Sequence, residues 1–330
     1  MKSVAFFNNK GGVGKTTLLC NIASYLAIHK NYKILIIDAD PQCNATQLLL
    51  DEDIVNELYE DSKSYTIHSI VHPLSIGKGY SEIIRPIEVD NFKLELLAGD
   101  PKLALKEDLL SQDWQSSISG DIRGLRTSFV FSELLSRCEN YDLVFFDMGP
   151  SLGSINRAVL LACDFFLSPM SIDIFSLRAI ENIAVALKEW RKRLSNALTQ
   201  IPDDAIEDLP KQPKFDVQFI GYIAQQYNQK TKQGEKRAVD AYEKIMRRIP
   251  IEIQKHLVDT VTKAKIKDFR IGEIPNLYSL IPMSQSEHKP IFDLKAKDGV
   301  RGAHFTRVKD AELLFKKVSS NMIKNIEACG

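Results

Sequence analysis

The chain has 330 residues, enough for one large domain or two smaller ones, and its 43 basic and 43 acidic residues cancel. That balance excludes a global attraction to polyanions, so any nucleic-acid surface must be local. No apolar run approaches the roughly 18–20 residues of a membrane span, and the five dispersed cysteines form no C-x-x-C pair.

Met1-Lys2 leads straight into the apolar strand Val4–Phe7, which leaves no room for a signal peptide; a cytoplasmic protein is expected. The strand runs into Asn8-Asn-Lys-Gly-Gly-Val-Gly-Lys-Thr-Thr17, and then into a helical pattern over Thr17–His29. Strand, glycine loop and helix is the context of a phosphate-binding loop, whose backbone N–H groups and helix N-terminus accept polyphosphate. Lys15 is placed to reach the β- and γ-phosphates and Thr16 to bind Mg²⁺. Lys10 is one cation more than such a loop needs.

The next strand, Lys33–Ile37, ends in Asp38-Ala-Asp40-Pro-Gln42. Acids at the carboxyl end of a strand beside such a loop lie in the crevice where ligands bind, although Asp-Pro also forms ordinary turns. Residues 51–91 show no sustained period and read as an insertion. Leu94–Leu97 reads as a strand, Pro101–Leu110 as a helix, 111–124 as a loop, and Phe129–Cys138 as a helix. Strand Leu143–Phe146 then ends in Asp147, the pattern of an acid that supports Mg²⁺ in nucleotide hydrolases.

Helix Ser154–Leu161, strand Phe165–Leu167, helix Ser176–Leu194 and strand Val217–Ala224 follow. Residues 196–214, with acidic Asp203–Asp208 between prolines, read as a further insertion. Cys163 reads as a buried cysteine. A short strand near Ile271 precedes Pro275-Asn276, and Phe305–Glu327 is the last helix. Its Phe315, Val318, Met322 and Ile326 share one face, which predicts packing on the body rather than on a membrane. Strands without alternation, separated by helices, predict a doubly wound α/β fold: a mostly parallel sheet with helices on both faces, as one domain over 1–330. Residues 230–270 hold twelve Lys/Arg against six Asp/Glu, which fits phosphate contacts or a solvated helix with i,i+4 ion pairs.

Together the loop, Asp38-Ala-Asp-Pro-Gln-Cys-Asn-Ala-Thr46 and Tyr141–Gly153 resemble the ParA/MinD family of deviant Walker ATPases, a SIMIBI-type branch of the P-loop NTPases. The partition branch is nearest, because Asp-Pro-Gln-x-Asn-Ala-Thr and Pro-Ser-Leu-Gly are ParA forms. The resemblance implies ATP and Mg²⁺ as cofactors, with Gly11, Gly12, Val13, Gly14, Lys15, Thr16 and Thr17 around the phosphates. It implies Thr16, Asp38 and Asp147 at the metal, and Asp40 orienting the hydrolytic water. Lys10 becomes the signature lysine that crosses a homodimer interface to the partner's nucleotide. Asn228, Pro275 and Asn276 are placed at the adenine, although Asn228 fits a loop turn equally well. Non-specific DNA binding by the ATP-bound dimer, hydrolysis stimulated by a ParB-like adaptor, and segregation of DNA or cargo follow from the family.

The chain departs from the family at Met148, Gly149 and Pro275-Asn-Leu-Tyr-Ser279, where relatives carry Thr or Ser, Pro, and an Arg-rich string. No helix-turn-helix precedes the loop, so sequence-specific autorepression is not expected. A second reading is a nucleotide-gated regulatory or scaffold subunit of a toxin-antitoxin or phage-defence complex, with the insertions as its protein interface.

Overall fold

The computed structural model of the chain describes residues 1–61, 63–202, 209–210, 215–227, 236–263 and 265–329. Eight strands form one sheet: β1 (Lys2–Phe6), β2 (Ile34–Asp38), β3 (Ile87–Val89), β4 (Leu94–Leu97), β5 (Leu143–Asp147), β6 (Phe165–Ser171), β7 (Gln218–Tyr227) and β8 (Arg270–Pro275). Their order is β3-β4-β2-β5-β1-β6-β7-β8, and every pairing is parallel except the antiparallel edge pair β3–β4.

The central strands are buried on both faces, which explains why they are apolar without interruption. Val4 and Phe6 point into one core with Ile34, Ile36 and Phe145; Ala5 and Phe7 point into the other with Leu35, Ile37 and Phe146. Phe6 and Phe145 meet edge to face at 5.4 Å. Truncating either to alanine removes about 3–5 kcal/mol.

On the first of these faces lie α1 (Lys15–Lys30), α2 (Asn44–Leu49), α11 (Leu280–Ser286) and α12 (His304–Glu327). The opposite face carries α4 (His68–Ser75), α5 (Glu107–Ser117), α6 (Ile122–Ser128), α7 (Val130–Ser136), α8 (Ser154–Ala162), α9 (Ile174–Leu198) and α10 (Lys236–Ile253). α3 (Glu52–Glu60) has no fully buried residue and rides on the surface. The apolar stripe of α12 is buried as its spacing predicts, with Phe315, Val318, Met322 and Ile326 all in the core. Asn325 Nδ2 also donates to Ile220 O at 2.8 Å, which ties this helix to β7. Among the described residues no helix is long and apolar enough to cross a membrane.

Several expectations change. Residues 51–91 carry α3, α4 and the edge strand β3 rather than aperiodic chain. Residues 111–124 are not a loop: α5 runs through Ser117, and α6 begins at Ile122, capped by Asp121, which accepts from Gly124 N at 2.7 Å. Pro101–Lys106 is a 3₁₀ turn that leads into α5, and α9 extends to Leu198. Asp203–Asp208 lies outside the described residues.

Candidate functional site

Glycine geometry shapes the loop between β1 and α1. Gly12 and Gly14 are left-handed, at φ 70° and 74°. The backbone at Gly14 calls for glycine, and a Cβ there would also sit 2.8 Å from Gln225 Oε1 and push that amide aside. Gln225, buried on β7, donates through Nε2 to Gly14 O at 3.3 Å and supports the loop from beneath. No side chain caps α1, so its first N–H groups are open to an anion.

A cleft of about 580 Å³ opens above this loop. Gly11, Gly12, Val13, Gly14, Lys15, Thr16 and Thr17 line it, joined by Asp40 and by Pro150 from the loop after β5. The far wall comes from α2, through Asn44, Gln47 and Leu48, and from Gln285 on α11. Pro275 and Asn276 do not line it. Asn276 Oδ1 accepts from Tyr278 N at 2.8 Å, so the amide closes its own turn. Asn228 lies outside the described residues, although the strand it follows ends with Tyr227 opposite Pro275.

Parallel register brings the acids together, because Asp38 on β2 and Asp147 on β5 are direct partners. Thr16 Oγ1 donates to Asp147 Oδ2 at 2.7 Å. Asp147 Oδ1 is buried without a hydrogen-bond partner. Burial above all, with Asp38 nearby, pushes the Asp147 carboxyl up to about 8. Asp38 is likewise pushed up to about 6 by burial. Burial also lowers the Lys15 ammonium, against the opposing pull of Asp147 and Asp40.

An orphaned carboxylate oxygen beside a threonine hydroxyl is what a hard divalent cation requires, and Thr16 with Asp147 therefore fits Mg²⁺. Among the described residues no group of three or more His, Cys, Asp or Glu is placed to hold a metal. Mg²⁺ at a phosphate needs only one or two protein ligands. Asp38 stands one step back. Its Oδ2 accepts from Thr46 N at 2.8 Å and Thr46 Oγ1 at 2.7 Å, and its Oδ1 from Asp40 N at 3.3 Å. Its carboxylate thus anchors α2 and the Asp40 turn.

Lys10 and Lys15 diverge. Lys15 is buried at the base of the cleft, whereas Lys10 is one-third exposed and paired with Asp173 after β6. Asp173 also caps α9, accepting from Ser176 N at 3.0 Å. Burial pushes its carboxyl up, but the bonds from Lys10 and Ser176 outweigh this and hold it below the usual carboxylate range. Ile174 and Phe175 beside it are 51% and 69% exposed, an apolar patch at the rim.

The cationic stretch is partly neutralised. Arg247 pairs with Glu243, Arg248 with Glu252, Lys263 with Asp216 and Arg270 with Glu273. Lys255, Lys265 and Lys267 are exposed, while Lys230 and Lys232 lie outside the described residues. Asp173, Gln225, Asn156 and Glu107 were not singled out by the sequence; for Asp173 the available signal is another acid just beyond a strand.

A family model described as an AAA domain (AAA_31) matches residues 1–200. An uncharacterised protein of Methanocaldococcus jannaschii is 24% identical over 99% of the chain and 100% of its own length. A ParA family protein of the Chlamydia psittaci virulence plasmid is 31% identical, over 60% of this chain and 66% of that one. The chromosome-partitioning ATPase Soj of Thermus thermophilus is 29% identical over the same shares. Among solved structures, protein DIP2308 of Corynebacterium diphtheriae superposes with a TM-score of 0.75 at 28% identity, covering 99% of both chains. A plasmid partition protein of Borrelia burgdorferi bound to AMPPNP shares the fold at a TM-score of 0.60 and 18% identity, over 98% of both chains.

Proposed function

The chain belongs to the ParA/MinD family of ATPases, and from that membership we propose that it hydrolyses ATP as a nucleotide-bound homodimer in the cytoplasm. The dimer binds DNA non-specifically, and a ParB-like or other adaptor stimulates slow turnover to position a plasmid, a chromosome or another cargo. The division of the two lysines carries this reading. Lys15 is enclosed in the cleft, while Lys10 stands at the rim next to exposed Ile174 and Phe175. A rim lysine beside an apolar patch is suited to reach across an interface.

In this reading the N–H groups from Gly11 to Thr17 and the Lys15 ammonium bind the phosphates. Thr16 and Asp147 would hold Mg²⁺, with Asp38 supporting them from behind; the metal would supply neutralisation of the charge that develops on the phosphoryl group. Asp40, which lines the cleft and whose Oδ1 accepts from Gln42 N at 3.0 Å, orients the attacking water. Lys10 of one subunit stabilises charge at the other's nucleotide, which couples turnover to dimerisation. The family implies adenine near Pro275 and Asn276 at the end of β8; neither lines the cleft, so base contact would require the Asn276 amide to leave its own turn.

The DNA arm draws on exposed Lys255, Lys265 and Lys267 and on relatives described as a virulence-plasmid ParA family protein and a chromosome-partitioning ATPase. Gel filtration of Asp40→Ala with ATP tests the core of the reading. A stable dimer is expected, and a variant that stays monomeric at every concentration overturns it. A DNA shift assay at two salt concentrations tests the DNA arm: binding should need ATP and weaken steeply with salt. Binding indifferent to both removes that arm.

A further inference from the structure

We propose that Asn156 is a positioning residue for hydrolysis, holding the loop 149–151 against Asp40 and the glycine loop; the proposal rests on the ATPase reading above. Asn156 lies in the first turn of α8 and is 3% exposed. Its Nδ2 donates to Gly149 O at 2.8 Å and to Ser151 O at 2.7 Å, so one amide group clamps two carbonyls of the same loop. That loop touches both sides of the reacting region. A Cβ on Gly149 would sit 3.3 Å from Asp40 Oδ1, and one on Gly11 would sit 3.8 Å from the Pro150 ring.

The clamp is anchored from elsewhere. Glu107, at the start of α5, accepts from Ser154 N and, through its other oxygen at 3.2 Å, from Ile155 N. Arg157, one residue beyond Asn156, stacks over Trp114 of α5 at 4.4 Å and donates to Leu110 O at 3.3 Å. α8 is therefore fixed to α5 independently of the loop. If the loop is to move with nucleotide state, the Asn156 bonds, including a longer one to Ser151 Oγ at 3.3 Å, are what it must leave.

The chemistry requires an amide. Two carbonyl oxygens need two N–H donors on one side chain, which a carboxylate cannot supply and a methyl cannot replace. Loosening the loop displaces Gly149 from the Asp40 carboxylate while leaving the phosphate-binding N–H groups and Lys15 in place. The expected signature is a loss confined to turnover.

The test measures ATP hydrolysis, equilibrium binding of a fluorescent ATP analogue and amide exchange on the full chain, for wild type, Asn156→Ala and Asn156→Asp. We expect kcat to fall on the order of tenfold or more while nucleotide Kd stays within about twofold. Exchange should rise across 149–153 and not elsewhere. Asn156→Asp is nearly isosteric and keeps the test alive if the alanine variant does not fold. Unchanged kcat overturns the proposal, and so does a parallel fall of kcat and bound fraction, which marks a merely structural role. A wild type that binds ATP and never hydrolyses it removes the ATPase reading itself, an outcome visible without any variant.

Discussion

The centre of the sheet and its β6–β8 half contribute to one cleft in different ways. In the centre, β2, β5 and β1 bring Asp38, Asp147 and the loop into register, and the groups are buried and bonded to one another. In the outer half buried Gln225 of β7 supports the loop from beneath, and the other contributions come from rims. Asp173 follows β6 and is 31% exposed, and Asn276 follows β8 with its amide turned onto its own backbone. Dehydration strengthens electrostatics in the centre, whereas screened and self-satisfied contacts outside cost little to rearrange. On the proposed reading, phosphate and metal binding use the buried, bonded centre, while Lys10 and the contacts to base and partner use the half with exposed, self-satisfied groups.

Removing the central cation should have the largest effect on nucleotide binding. Lys15→Ala loses a charged hydrogen bond to phosphate, worth up to about 3 kcal/mol, so nucleotide affinity should fall roughly 100-fold in a titration. A fall of less than tenfold would erase the contrast between centre and rim. Asp147→Asn keeps an acceptor for Thr16 but removes the charge that fits Mg²⁺; turnover should drop on the order of 100-fold. Its second effect is on stability. The carboxyl of Asp147 is raised in the fold to about 8 from an ordinary 3.8, so the folded state binds the proton more tightly than the unfolded chain. Stability is then fully present below the ordinary value and is lost as pH rises towards 8. In EDTA, the melting temperature of the wild type should fall over that window, and Asp147→Asn should flatten the slope. A slope that persists unchanged in the variant assigns it to another group.

The same contrast explains what was legible in the sequence. The central strands announce themselves because burial on both faces demands unbroken apolar runs, and the phosphate site because its parts are contiguous from Gly11 to Thr17. Lys10 and Asp173 meet across 163 residues, and no spacing rule reaches that far. Asn156 stands between Ile155 and Arg157 at the start of a helical pattern, with nothing to mark its two carbonyls. Residues 111–124 read as a loop because Ser and Gly are poor helix formers. There Gly124 serves close packing instead: a Cβ on it would lie 2.4 Å from Asp113 O, so glycine lets α6 cross tightly over α5. The region 51–91 hides its helices because α3 buries nothing fully and α4 contains Pro73.

At the rim, Lys10→Ala should leave ATP affinity within about twofold, since Lys10 does not line the cleft, and should abolish ATP-dependent dimerisation and hydrolysis. A variant that still dimerises and turns over returns the chemistry wholly to the centre. The smallest effect is expected for Asp173→Asn. Asparagine caps α9 as well as aspartate does, so the helix should stand, and only the ion pair to Lys10 is lost. A pair between two side chains each about a third exposed holds under about 1 kcal/mol, equivalent to no more than roughly fivefold in an equilibrium. Because Lys10 must leave Asp173 before it can reach a partner's nucleotide, the loss should favour association. The ATP-dependent dimer of Asp173→Asn should form at a protein concentration lower by up to that factor, measured by sedimentation. A shift in the opposite direction would mean that Asp173 serves the dimer rather than the free subunit, and that this rim residue is held to one task as firmly as the acids of the centre.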